Sequence, residues 1–157
     1  MKISRASTVT AVATMLLAAL APAPGQEKRI KRSDLPPAVE KAVVEHSRGA
    51  TIHGFSQEKE AGKTFYEAEL MVNGHSQDVL MDEDGAVVEV EEQVATESLL
   101  PAVRAGLQAK AGNGKLVKVE TLTKRGKLVA YEAQVLTKGK KSEVQVGPDG
   151  KPLDHEE

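Results

Sequence analysis

Cysteine and tryptophan are missing from this chain, and only four aromatic residues, Phe55, Phe65, Tyr66 and Tyr131, occur among its 157 positions. Without cysteine there is no disulfide, no thiolate metal ligand and no lipid-modified thiol, so stability outside the cytoplasm must come from packing. With so few aromatics the core has to be built from Val, Leu, Ala and Ile, and large stacking surfaces are scarce. No Gly-rich phosphate loop is present. The histidines, His46, His53, His75 and His155, are isolated, with no pair at metal-ligand spacing. Ser47, Ser56 and Ser76 lie near histidines in sequence, yet none occupies a nucleophile elbow. These absences argue against an enzyme and against a resident cofactor.

What is present is charge, unevenly divided. From Asp34 to Glu97 four Lys or Arg face fifteen Asp or Glu; from Ser98 to Glu157 eleven face seven. The acidic first part and basic second part could hold each other or present separate faces to a partner. Lys28, Arg29, Lys31 and Arg32 form a short basic run over residues 26–33. It reads as a linker, and no nucleic-acid partner is expected.

Ahead of that run, Lys2 and Arg5 precede an uncharged stretch from Ala6 to Ala23 that is dense in Ala and Leu. This order is that of a secretory signal, so residues 1–25 are expected to direct export and then be removed, with Gln26 as the first mature residue. The strongly apolar portion is short for a bilayer span. The mature chain is therefore expected to be periplasmic or secreted, with no stable membrane insertion.

The remainder repeats itself. Tyr66-Glu67-Ala68-Glu69 returns sixty-five positions later as Tyr131-Glu132-Ala133-Gln134, Gly74 returns as Gly139, and Asp84-Gly85 as Asp149-Gly150. Pro37-Ala38-Val39 returns as Pro101-Ala102-Val103 at an offset of sixty-four, one residue having been gained before Tyr131. Several landmarks kept in register point to a duplicated supersecondary unit. The expected division is 34–97 and 98–157, and each piece is small enough to bury only a marginal core alone.

Each unit opens on helical spacing. Val39, Ala42, Val43 and His46 recur at i, i+3, i+4 and i+7, as do Val103, Gly106, Leu107 and Lys110. Ser33 or Asp34 and then Ser98 are candidate caps, with Pro36, Pro37 and Pro101 at the first turns. Strands follow at Thr51 to Gln57, Lys63 to Val72, Ser76 to Met81 and Ala86 to Glu91, then at Lys115 to Thr123, Lys127 to Thr137, Lys141 to Val146 and a stub after Gly150. Ala61-Gly62, Asn73-Gly74, Asp84-Gly85, Arg125-Gly126 and Gly139 supply the turns between them. The predicted fold class is α+β: two tandem units, each one helix packed on a three- to four-stranded antiparallel sheet.

Alternation sorts the two faces. Tyr66, Ala68, Leu70 and Val72, matched by Val129, Tyr131, Ala133 and Val135, should carry the helices. The opposite face offers Phe65, Glu67, Glu69 and Met71 in one unit and Leu128, Ala130, Glu132, Gln134 and Leu136 in the other, a mixed apolar and acidic surface open to solvent or a partner.

A helix beginning Leu35-Pro36-Pro37-Ala38-Val39, a Tyr-Glu-Ala strand, and a strand closing on Val79-Leu80-Met81-Asp82-Glu83-Asp84-Gly85 together resemble the PepSY-like domain grouped with β-lactamase-inhibitor-like proteins. The resemblance spans Asp34 to Glu157. It implies a helix on an antiparallel sheet in each unit, export, and a role in binding or restraining other proteins, with no catalytic residues to transfer. For the inhibitors themselves it implies a concave sheet rich in aromatics and an acidic loop that enters the enzyme. Here both tyrosines fall on the predicted core face, so tight β-lactamase inhibition is not expected.

Two readings of function follow. In the first, an exported non-enzymatic module binds an envelope protein or peptidase through the open sheet face, with Phe65, Glu67, Glu69, Met71, Leu128, Glu132 and Leu136 as the partner-binding residues. In the second, an acidic envelope protein gathers cations or basic ligands without a specific protein partner. No metal site is expected. Asp82, Asp84 and Glu91 imitate part of an EF-hand spacing, but the first ligand position would be Leu80 and the pattern around it is strand, so a turn explains them better. With Glu83, Glu89 and Glu92 these acids would attract Ca²⁺ only loosely.

Overall fold

The structure, a computed structural model, describes residues 27–157, so the leader expected over residues 1–25 lies outside the described residues. Its strands are β1 (Lys28–Ile30), β2 (Thr51–Glu60), β3 (Lys63–Val72), β4 (His75–Asp82), β5 (Val87–Gln93), β6 (Lys115–Lys124), β7 (Lys127–Thr137) and β8 (Lys140–Val146). Helix α1 (Pro37–His46) lies between β1 and β2, and helix α2 (Pro101–Ala111) between β5 and β6.

The expected fold class of two tandem units, each one helix on a three- to four-stranded antiparallel sheet, is overturned. All eight strands belong to one antiparallel sheet in the order β1 to β8, each strand bonded to its neighbour in sequence. The joint is the pairing of β5 with β6, from Glu89 opposite Lys124 to Gln93 opposite Glu120, extended by the Val94 amide donating to the Val119 carbonyl. The physical reason is the cost of edges. Two separate sheets would each leave β5 or β6 with a row of unpaired backbone groups, and merging removes both rows at once.

Several local expectations also change. Lys28–Ile30, read as part of a linker, is a short edge strand on Phe55–Gln57 of β2. The stub after Gly150 does not form a strand. Ser33, Asp34 and Ser98 cap neither helix: the N-caps are Pro36 and Leu100, and the three residues lie in short 3-10 turns just upstream, where the Asp34 carboxylate accepts the Lys31 amide. Proline at the first helical position makes the missing cap cheap, since that position needs no donor. His46, the last residue of α1, is exposed.

The turns behave as their residues suggest. Ala61-Gly62, Asn73-Gly74, Arg125-Gly126 and Lys138-Gly139 all have positive φ at both positions, the backbone of the two-residue hairpin whose twist matches the strands it joins.

Both helices lie on one face of the sheet. Val39, Ala42 and Val43 of α1 pack with Phe55, Tyr66, Ala68, Leu70, Val79 and Met81. Val103 and Leu107 of α2 pack with Leu99, Val119, Ala133 and Val146. The Asp-Gly echoes have a physical counterpart here. Gly85 and Gly150, with φ of 78° and 79°, press against the first turns of α1 and α2, where an added Cβ would fall 2.5 Å from the Ala38 carbonyl oxygen and 2.2 Å from that of Ala102. Only glycine permits both that backbone and that approach.

Candidate functional site: an acidic sheet face

The face away from the helices is built by the alternate residues of the same strands. Register places Glu67 opposite Leu80, Glu69 opposite Asp78, Asp78 opposite Glu91, and Leu80 opposite Glu89. Further across, Glu89 stands opposite Lys124, Glu91 opposite Leu122, and Glu120 opposite Glu132, which faces Gln145. A field of carboxylates thus runs over six strands. Among the described residues three basic side chains pair with it: Arg29 with Glu69 at 2.7 Å, Lys118 with Glu120 at 2.5 Å, and Lys124 between Glu89 at 3.7 Å and Glu157 at 3.5 Å. The Glu157 amide donates to Gln145 Oε1 at 2.8 Å, so the last residue lies across the face from β8 to β6.

A cavity of about 170 Å³ in this face is lined by Glu58, Glu67, Asp78, Leu80, Glu89 and Glu91, with no basic residue in its wall among the described residues. The consequence is an uptake of protons. Partial burial first, then repulsion from Asp78, Glu27 and Glu69, raises the Glu67 carboxyl to about 7. Burial and then Glu132, Glu120 and Glu89 raise Glu91 to about 8. Glu58, Asp78, Glu89 and Glu132 are also raised, burial being the largest cause for each, against which Lys118, Lys124 and Gln145 pull Asp78, Glu89 and Glu132 down. Desolvation and crowding of like charges both favour the neutral carboxyl, so the face holds protons where it lacks cations.

Of the residues expected to bind a partner, Phe65, Glu67, Glu69, Met71, Glu132 and Leu136 sit on this face but do not form one patch, while the bulge at Leu122 and Thr123 sets Leu128 opposite Thr123, on the helix side. Phe65 shares a groove with Lys63, Leu80, Val88 and Lys124. Met71 lies toward the other end of β3 beside His53 and Ser76. Leu128 and Leu136 are on β7, four strands away and so about 19 Å from β3. Glu132 accepts a hydrogen bond from Gln145 Nε2 at 2.8 Å. Glu67 and Glu69 are the members that meet the central acids. Of the acids weighed for metal, Asp82 is engaged in its own turn, its Oδ1 accepting the Asp84 and Ala86 amides at 3.1 and 2.9 Å. Glu91 faces Asp78, four residues and about 13 Å along β4 from Asp82.

Sequence reasoning passed over Glu58, Asp78, Lys118 and Glu120, named Leu80 only within a motif, and gave Glu89 no more than a loose attraction for Ca²⁺. Alternation could have placed Asp78 and Leu80, since Val79 and Met81 beside them are apolar and buried. Nothing local could have brought Glu120 to Glu91, because that requires the β5–β6 pairing. Among the described residues no helix is long and apolar enough to cross a membrane.

The architecture recurs in solved structures. A DUF2874 family protein from Bacteroides ovatus superposes with a TM-score of 0.59 at 20% identity, over 77% of this chain and 86% of that one. A BLIP-like protein from Bacteroides fragilis gives 0.56 at 20% identity, over 76% and 83%. A proposed periplasmic protein from Bacteroides eggerthii gives 0.61 at 19%, over 76% and 86%. No family model matches the sequence, and no curated protein matches it. At these identities the likeness is one of fold, and by that likeness the fold of this chain is BLIP-like.

Proposed function

We propose that the chain is an exported, non-enzymatic binding module that takes a basic protein or peptide on its open sheet face. The observation that carries this reading is the cavity walled by Glu58, Glu67, Asp78, Glu89 and Glu91 around Leu80. Carboxylates half-removed from water are raised in energy, and a cationic side chain entering among them relieves the repulsion that now protonates them. Lysine or arginine is the matching chemistry, with the alkyl stem over Leu80 and the charge among the acids. The PepSY-like motifs, the leader pattern and the Bacteroides eggerthii neighbour, itself described as a proposed periplasmic protein, all agree with export to the envelope. Phe65 and Met71 flank the acidic centre and would meet apolar residues beside the basic ones.

This reading differs from β-lactamase inhibition in where the contact energy lies. An aromatic-poor, carboxylate-rich face draws on charge, so binding must weaken steeply with salt. The test is fluorescence anisotropy of a labelled ten-residue oligolysine peptide against the mature chain. Saturable binding at low ionic strength, weakened at least about tenfold by Glu58→Gln, Glu67→Gln and Glu89→Gln together, is expected. Equal binding by that variant would exclude the face. The other reading, an acidic protein that gathers cations or basic ligands without a specific protein partner, would show oligolysine binding spread over the acidic surface and unchanged by those three substitutions.

A further inference from the structure

The two edges of the sheet end differently. β1 lies over Phe55–Gln57 of β2 and carries Lys28 and Arg29, whereas β8 has no strand beyond it among the described residues. Lys138 and Gly139, both at positive φ, make the two-residue turn that leads into β8, and such a turn sets Thr137 and Lys140 as a hydrogen-bonded pair. Antiparallel alternation then turns the amides and carbonyls of Ser142 and Val144 toward β7, and those of Lys141 and Glu143 away from it. No turn, loop or cap hydrogen bond reaches these outward groups among the described residues. Residues 140–143 are exposed, while Gln145 and Val146 are buried. The open part of this edge is therefore short and bears charge of both signs.

We propose that β8 pairs antiparallel with β8 of a second copy of this chain, about a two-fold axis through Ser142. Exposed edges commonly carry lysine because like charges brought face to face oppose pairing. The order Lys141-Ser142-Glu143 reverses that effect in one register. Centred on Ser142, the pairing sets Lys141 of each copy opposite Glu143 of the other, and each such pair exchanges both of its backbone N–H···O=C bonds through the outward groups. Centred instead on Lys141 or on Glu143, it sets two lysines or two glutamates face to face, so charge selects the register. On the helix side the Lys140 stem of one copy lies over the partly buried Val144 of the other. Joining β8 to β1 of a second copy would set Lys140 and Lys141 against Lys28 and Arg29, so association closes at two copies and does not run on as a filament. An axis normal to the sheet keeps the helices of both copies on one side and continues the open face across the joint. The contact is short, so the association is weak and reversible. It uses none of the residues that wall the acidic cavity, and it stands or falls apart from peptide binding there.

The experiment is sedimentation velocity of the mature chain over a concentration series reaching about 1 mM. A concentration-dependent shift from one copy to two is expected. Lys141→Glu and Glu143→Lys each bring like charges together on both sides of the axis, and each should weaken self-association at least about tenfold. Both positions are exposed, so circular dichroism of the variants should match the natural chain. In an equal mixture the two variants carry opposite charges at both positions, and they should associate with each other about as tightly as the natural chain does with itself. The proposal is overturned if the natural chain stays single at every concentration, or if either variant alone associates as the natural chain does. A mixture that fails to associate overturns the pairing about Ser142.

Discussion

The two faces of the sheet are made by the same strands and obey opposite economies. Along β3, Tyr66, Ala68 and Leu70 are buried beneath α1, while Glu67 and Glu69 between them look out into a field of acids. On the helix side each contact removes apolar surface from water and stabilises the fold. On the open side, burial and crowding hold Glu67 and Glu91 near neutrality and cost stability whenever they ionise. A surface that works against the fold that carries it points to a use other than stability.

Substitutions can break that contrast, and the largest effect belongs to the covered face. Leu107 has no exposed surface, and Leu107→Ala should cost about 3 kcal/mol, read as a lower urea midpoint at unchanged slope. Gly150→Ala comes next. Its new methyl would strike the Ala102 carbonyl at a φ of 79°, so a loss on the order of 2 kcal/mol is expected by the same measurement.

The open face should respond with the opposite sign. Glu67 and Glu91 hold protons more tightly in the fold, at about 7 and about 8, than at their ordinary value of 4.5. The folded chain therefore binds more protons than the unfolded chain in that interval. The stability this supplies is complete below the ordinary carboxylate range and drains away as pH rises through 7 and 8. Tm measured by circular dichroism should fall by on the order of 5 °C between pH 5 and pH 8.5, and Glu67→Gln with Glu91→Gln should flatten that fall. A fall that persisted undiminished in the double variant would remove these two groups as its source. The smallest effect belongs to neither face. Ala61 and Lys138 occupy left-handed turn positions that Asn adopts more readily, so Ala61→Asn and Lys138→Asn should each gain about 0.5 kcal/mol.

Much of the covered face was legible in the sequence. The bounds of β3 and β7 agree with the alternating runs Lys63 to Val72 and Lys127 to Thr137, because glycine-containing turns flank both. Val39 and Val43, and Val103 and Leu107, declared themselves by helical spacing and are buried. The open face was legible only strand by strand. Glu67, Glu69 and Glu132 follow from alternation within β3 and β7, but the meeting of Asp78, Glu91 and Glu120 depends on a pairing between strands separated by a helix. That pairing is made by backbone groups, which are the same in every residue, so no side-chain pattern announces it. Reading the echoes as two units left open which strands would join them, and that joint is where the acids converge.

A sheet whose spatial order follows its sequence also has a bearing on how it is made. No late strand must be inserted between two early ones, so hairpins can close one after another from the leading end, and each finished edge serves as the template for what emerges next. For a chain threaded through a membrane before it folds, such a layout lets assembly keep pace with delivery.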